Sequence, residues 1–116
     1  LIPLCPLDAL ADPGSRGFTL ELEGGPVDLF VVRCAGRLHA YRNSCPHTGA
    51  TLEWVPHRFL DAEEAFIQCG LHGALFLIDS GECVRGPCVG AFLEPLAVKV
   101  RDGEVCLLDV EGEPVS

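Results

Sequence analysis

Two short segments of the sequence each contain one cysteine and one histidine. The first reads Cys45-Pro46-His47, and the second, after a gap of 21 residues, reads Cys69-Gly70-Leu71-His72-Gly73. Cysteine thiolates and histidine imidazoles are donors that hold zinc ions and iron–sulfur clusters in proteins. The sequence therefore offers four candidate ligands of a metal centre, which are Cys45, His47, Cys69 and His72.

The division of these donors between the two segments favours a cluster over zinc. A zinc site with two cysteines and two histidines usually takes both cysteines from one turn and both histidines from one helix. Here each segment is mixed, which suits a [2Fe–2S] cluster gripped between two loops, with the thiolates on one iron and the imidazoles on the other. Structural zinc stays open as an alternative, and so do unconnected core residues, because a buried cysteine often packs as a small hydrophobe.

The segments and their flanks resemble the Rieske family. Similar stretches are Tyr41–Ser44 before the first segment, His72–Ala74 with Phe76 in the second, and Gly86–Gly90 further on, so that the similarity covers about residues 30–100. The resemblance implies that a proline loop at residues 86–90 covers the cluster. Glycine and proline suit such positions, because backbone amides must approach the sulfides and a rigid cover must exclude water.

The rest of the sequence predicts an all-β fold. Short apolar or alternating runs bounded by turn residues are typical of strands in a sandwich or small barrel. Three turns are predicted at Ala35-Gly36, Asp79-Ser80-Gly81 and Asp102-Gly103, the last a favoured dipeptide for a tight hairpin. The predicted strands are Phe18–Leu22, Val27–Cys34, Leu38–Arg42, Leu75–Ile78, Leu96–Arg101 and Glu104–Leu108.

The resemblance sharpens this fold to a single Rieske-like domain over residues 1–116, an antiparallel sheet sandwich or barrel. A base of sheets is expected from about residues 1–42 and 76–116, with a small cluster-binding subdomain at about 43–75. Segment 48–68 is longer than expected for a carrier ferredoxin, and its Trp54 is predicted to pack beneath the cluster loops, with an exposed anchor for partner docking as the alternative. His39 and His57 fall outside both ligand patterns and are interpreted as non-ligands.

Composition excludes several classes of function. The 116 residues carry a net charge of −9, which would repel nucleic acid and anionic membranes. No run approaches the roughly 20 apolar residues of a membrane-spanning helix, and the given residues lack the basic n-region and small-residue cleavage site of a secretory signal, which leaves an upstream tether or signal open. The sequence begins at Leu1 and lacks methionine, so the native start is expected upstream. Nothing resembles a small-molecule substrate pocket with a nucleophile and a base.

The cysteines indicate a reducing compartment. Five remain beside the two candidate ligands, an odd number without the spacing of a disulfide framework, and cytoplasmic localisation is therefore expected. Cys34 and Cys106 lie in apolar runs and are predicted to pack in the core. Cys83 and Cys88 are close enough for a loop-closing disulfide, an alternative that their spacing leaves open.

The resemblance implies a soluble Rieske-type ferredoxin, an electron-transfer protein and not itself an enzyme. Its expected partners are a flavin-containing reductase and an oxygenase or similar acceptor; the alternatives are a redox-sensing accessory subunit and a zinc-stabilised interaction module. High-potential members carry an extra cysteine in each loop and a serine after the second His-Gly, where this sequence has Ala50, Leu71 and Ala74. The potential is therefore expected toward the negative end of the Rieske range of roughly −150 to +300 mV.

Overall fold

The computed structural model describes residues 2–22, 24–44, 46, 52, 57–69 and 73–108. These residues form ten β-strands and one short 3₁₀ turn, Leu7–Ala9. The strands are β1 (Ile2–Pro6), β2 (Gly14–Leu22), β3 (Gly25–Cys34), β4 (Arg37–Arg42), β5 (Ile67–Gln68), β6 (Leu75–Phe76), β7 (Cys83–Arg85), β8 (Pro95–Leu96), β9 (Val98–Arg101) and β10 (Glu104–Leu107). The predicted all-β class is confirmed. In the described part of the chain, no helix is long and apolar enough to cross a membrane.

The strands form three antiparallel sheets. The first has the order β1-β10-β9, the second β2-β3-β4-β8, and the third β5-β6-β7. The second sheet contains the two longest strands, β2 and β3, which pair in register from Gly14↔Arg33 to Leu22↔Gly25. It forms the central layer, because apolar side chains pack on both of its faces.

Strand β3 separates two hydrophobic cores. Successive side chains of a strand point to opposite faces, and here Leu29 and Val31 belong to one core while Phe30 and Val32 belong to the other. All four are fully buried. The first core packs against β1 and β10, and the second extends toward the two candidate ligand segments. This double burial explains why β3 reads as a continuous apolar run rather than an alternating one.

Two tight turns form at the predicted dipeptides. Ala35 and Gly36 have φ values of +53° and +76°, and Asp102 and Gly103 have values of +53° and +78°. Two successive residues with positive φ are typical of the type I′ turn, whose twist matches that of a hairpin. The carboxylate of Asp12 accepts hydrogen bonds from the amides of Ala35 (2.9 Å) and Gly36 (2.8 Å), which holds the first turn in place.

A segment beyond the first ligand motif covers the edge of β2. His57 Nδ1 accepts a hydrogen bond from the Gly17 amide at 3.1 Å, and Ser15 Oγ donates one to the His57 carbonyl at 2.8 Å. Two residues further on, the buried ring of Phe59 stacks on Phe30, with centroids 4.3 Å apart. The segment therefore joins the edge of the central sheet to the second core.

Candidate metal centre

The second ligand segment is the loop of a β-hairpin. Strands β5 and β6 pair as Ile67↔Phe76 and Gln68↔Leu75, so the loop runs from Cys69 to Ala74. Two backbone hydrogen bonds close its base: the Cys69 amide donates to the Ala74 carbonyl, and the Gly73 amide donates to the Cys69 carbonyl, both at 2.9 Å. The side chain of Cys69 is fully buried. The hairpin thus presents one candidate thiolate from a fixed and enclosed position.

The first ligand segment follows β4. Asn43, at its start, makes one hydrogen bond to the central sheet and one to Leu52, beyond the segment. The Asn43 amide donates to the Asp28 carbonyl at 2.9 Å, and Asn43 Oδ1 accepts a hydrogen bond from the Leu52 amide at 2.7 Å. Asn43 is the one polar side chain classed as buried among the described residues. Because residues 43 and 52 bracket Cys45 and His47, this bond closes the base of the first loop.

Both loops end in the same hydrophobic core. Leu52, which follows the first segment, is fully buried beside Cys69 and Ala74 of the second. Phe30 and Tyr41 of the central sheet contribute to the same core. Leu52, Cys69 and Ala74 therefore belong to one core on one face of the central sheet.

The turn at residues 86–90 lies against the second loop. A Cβ atom placed on Gly86 would come within 2.9 Å of both Cα and Cβ of Ala74. Gly86 also has φ of +107°, a conformation that favours glycine. The predicted proline loop therefore makes backbone contact with the residue that ends the Cys69–Ala74 loop.

Of the four sequence-predicted ligands, Cys69 belongs to the described residues. Cys45, His47 and His72 lie outside them, as do Ala50, Trp54 and Leu71. Within the described part of the chain, no group of three or more histidine, cysteine, aspartate or glutamate side chains is arranged to hold a metal ion. The described residues nevertheless fit the donor chemistry of a cluster, because the buried thiol of Cys69 lies in a hairpin loop closed by backbone hydrogen bonds.

Two other histidines occupy structural positions. His57 lies at the edge of β2, as described above, and His39 lies half-buried on β4. Burial lowers the pKa of His39, with nearby Arg37 acting in the same direction and Asp79 opposing it. That neither histidine is a ligand stays a prediction from the sequence.

Contacts around Tyr41 join the lead-in strand to the turn after β6. Its hydroxyl donates a hydrogen bond to the Ile78 carbonyl at 2.7 Å. Burial, reinforced by the charge of Asp79, raises the pKa of Tyr41 to about 12. The ring lies against Gly81, where an added Cβ would meet Tyr41 Cε1 at 2.8 Å. The sequence carries no signal for these roles of Tyr41 and Asn43, because neither residue type specifies a particular hydrogen-bond partner.

Residues 2–112 match the Rieske [2Fe-2S] domain family. The chain belongs to this family. The Rieske domain is defined by its [2Fe–2S] cluster, so this is the cofactor of the chain. None of the curated proteins compared with the chain matches its sequence.

Solved structures of ferredoxins share this fold. The ferredoxin of carbazole 1,9a-dioxygenase from Nocardioides aromaticivorans IC177 is 26% identical with a TM-score of 0.67, covering 92% of this chain and 97% of that one. The Sphingomonas yanoikuyae B1 ferredoxin is 25% identical with a TM-score of 0.69, covering 93% and 97%. A chain in a complex of reduced oxygenase and oxidised ferredoxin of carbazole 1,9a-dioxygenase is 24% identical with a TM-score of 0.71, covering 91% and 90%.

Proposed function

We propose that this chain is a Rieske-type ferredoxin that carries single electrons from a flavin-containing reductase to an oxygenase or similar acceptor. One observation carries the proposal. This chain belongs to the Rieske family and has the same fold as two ferredoxins over nearly their whole length. One of them is the ferredoxin of a dioxygenase, and another similar structure contains a ferredoxin together with its oxygenase. The acidic protein suits transient docking to a basic partner.

The proposed ligands are Cys45 and His47 from the first loop and Cys69 and His72 from the second. Support comes from residues at the ends of the two loops, because Leu52 of the first and Cys69 of the second are buried in the same core. Further support comes from the rigidity of each base, closed by Asn43 in one case and by the hydrogen bonds between Cys69 and Ala74 in the other. By the same reasoning, residues of about 43–75 form the cluster-binding part of the domain.

When bound, the cluster supplies a centre that accepts and releases one electron. The chain's own residues keep this centre in a fixed and dry environment. Cys69 and Ala74 are almost completely buried, and Gly86 packs directly on Ala74. Ala74 offers no hydroxyl that could donate a hydrogen bond to a sulfide, and we therefore place the reduction potential below zero. Cytoplasmic localisation remains part of the proposal.

The ligand assignment is tested with four histidine variants of the chain. We expect the purified wild type to contain two irons and two acid-labile sulfides, with a reduced-state EPR spectrum of a histidine-ligated cluster. His47→Ala and His72→Ala should be purified without the cluster or lose it within the time of purification, because each removes one donor. His39→Ala and His57→Ala are the matched controls, and both should retain full iron content. Stoichiometric zinc, or a cluster that survives in His72→Ala, would contradict the assignment.

The carrier role is tested separately from the cluster. Catalytic amounts of a dioxygenase flavin reductase with NADH should reduce the protein, and the reduced protein should pass electrons to an oxidised terminal oxygenase in stopped-flow mixing. Voltammetry at neutral pH should give a potential below zero. An intact cluster that neither accepts nor passes electrons in these reactions would instead favour a sensing or accessory subunit.

A further inference from the structure

Two cysteines outside the ligand set are in direct contact. Cys88 Sγ donates a hydrogen bond to Cys83 Sγ at 3.0 Å, and Cys83 Sγ donates one to the Arg85 carbonyl at 3.3 Å. A disulfide bond is about 2.05 Å long, so the pair is in the dithiol form. Cys83 is fully buried, whereas Cys88 is 8% exposed. Of the two residues, Cys88 is therefore the more accessible to a small molecule from solvent.

The backbone around this pair forms a closed turn. The Cys83 amide donates to the Ala91 carbonyl at 2.8 Å, and the Gly90 amide donates to the Cys83 carbonyl at 3.2 Å. The Ala91 amide also donates to the Cys88 carbonyl at 2.8 Å. Both sulfurs thus lie in segment 83–91, whose two ends are joined by backbone hydrogen bonds. Bringing them to bonding distance requires an approach of only about 1 Å.

We propose that Cys83 and Cys88 form a reversible oxidation site whose oxidant is a hydroperoxide such as hydrogen peroxide. The Cys88 sulfur attacks the peroxide, becomes a sulfenic acid and releases one water. The Cys83 sulfur then displaces the hydroxyl group as a second water, and the S–S bond forms. Two thiols lose two electrons and two protons, and one peroxide is reduced to two waters.

The disulfide would fasten the turn that covers the second ligand loop. Gly86 lies between the two cysteines and packs against Ala74, the last residue of the Cys69–Ala74 loop. A bond between residues 83 and 88 therefore restricts opening of this turn. The consequence for the cluster rests on the proposed function, whereas the disulfide itself does not. Cys83 and Cys88 are at other sequence positions than 50 and 71, which correspond to the extra loop cysteines of high-potential Rieske proteins.

The holoprotein is treated anaerobically with one equivalent of hydrogen peroxide and then alkylated, digested with trypsin and analysed by mass spectrometry. The predicted product is a linked pair of peptides, Phe59–Arg85 and Gly86–Lys99, which dithiothreitol separates. The first peptide contains both Cys69 and Cys83, so fragmentation of the linked pair assigns the bond. The wild type thereby gives an answer even if a cysteine variant fails to fold.

Variants and hydrogen exchange complete the test. Cys83→Ala and Cys88→Ala should abolish the linked pair, whereas Cys34→Ala, which removes a cysteine outside the pair, should form it as the wild type does. Oxidation should slow amide exchange in segment 86–91 and leave that of Phe18–Leu22 unchanged. A link to Cys69, modification of other cysteines while this pair stays reduced, or exchange in 86–91 that is unaffected by the disulfide would each overturn the proposal.

Discussion

Tyr41 is the sole tyrosine of the chain, and its environment can therefore be measured directly. Its ring lies in the core that supports both ligand loops, at a centroid distance of 5.8 Å from Phe30. Its hydroxyl is hydrogen bonded to the Ile78 carbonyl. An ionised phenol could not donate this bond and would be poorly solvated at this site. The neutral form is thus strongly preferred in the folded protein.

We predict that tyrosinate absorbance, taken as the difference between wild type and Tyr41→Phe, titrates near pH 12 in the folded protein. Burial raises the pKa of Tyr41 from 10.0 to about 12. A folded-state pKa above the unfolded one stabilises the protein fully below pH 10, and this stabilisation is lost as the pH rises through about 12. The urea stability of the wild type should therefore fall relative to that of Tyr41→Phe over this interval.

At neutral pH, Tyr41→Phe should lower the free energy of unfolding by about 1 kcal/mol, the usual effect of losing one hydrogen bond. The variant is also the reference for the wild type, because every other group that titrates in alkali is present in both proteins. A phenol that titrates near pH 10 while the fold is intact would show that Tyr41 is exposed to water and that the contact with Ile78 does not persist.

The 86–90 turn offers a matched pair of glycines at the level of a single structural element. Gly86 and Gly90 have similar φ values of +107° and +95°, so an alanine at either position has comparable backbone strain. The surroundings differ: an added Cβ at Gly86 would lie 2.9 Å from Ala74, whereas at Gly90 no atom of the described residues other than its two sequence neighbours lies within 4 Å. The pair separates the strain of the turn from its contact with the ligand loop.

We predict that Gly90→Ala lowers the free energy of unfolding by about 1–3 kcal/mol. Gly86→Ala should lower it by a further 1–3 kcal/mol or so, the usual range for overpacking a buried contact. Gly86→Ala should also release iron to a chelator faster than Gly90→Ala, since the loop ending at Ala74 must move. Urea denaturation and chelator kinetics measure the two effects. Equal behaviour of the two variants would show that the turn does not press on Ala74.

Strands with a strong pattern were predictable from sequence, and the short strands β5 and β7 were not. The runs around β2, β3, β4 and β10 contain enough residues for apolar periodicity to show. Strands β5 and β7 contain only two and three residues, and they exist because they pair with β6. Strand β1 contains two prolines. It lies at the edge of its sheet, where the missing N–H donor of a proline is tolerated. The run predicted at 96–101 is divided into β8 and β9, which belong to different sheets.

The candidate site also has one part that was predictable from sequence and one part that was not. The ligand types and their spacing are visible in the sequence, because the chemistry of each donor is a property of one residue. The contacts that support the loops join positions far apart in sequence, such as Asn43 with Leu52 and Gly86 with Ala74. Nothing in the residue types specifies those partners. The sequence therefore predicted the donors, and the fold was needed to find what holds them.

For the whole molecule, the net charge of −9 predicts how encounters with a redox partner respond to salt. Reduction of cytochrome c, a basic protein, by the reduced chain should slow as ionic strength rises, because salt screens the attraction. Oxidation by ferricyanide, an anion, should accelerate over the same range, because salt screens a repulsion. Stopped-flow rates at several salt concentrations test both. Rates that are independent of salt for both oxidants would show that the charge does not govern the encounter.

Strand β3 is a wall common to both cores, with Leu29 and Val31 on one side and Phe30 and Val32 on the other. Neither core can lose this wall without exposing the other to water. We therefore expect the two cores to unfold together in one cooperative transition. A single added residue within β3 would invert the facing of every later side chain in the strand and exchange the two cores. Strand β3 is consequently expected to tolerate an insertion poorly, although none of the proposed ligands lies in it.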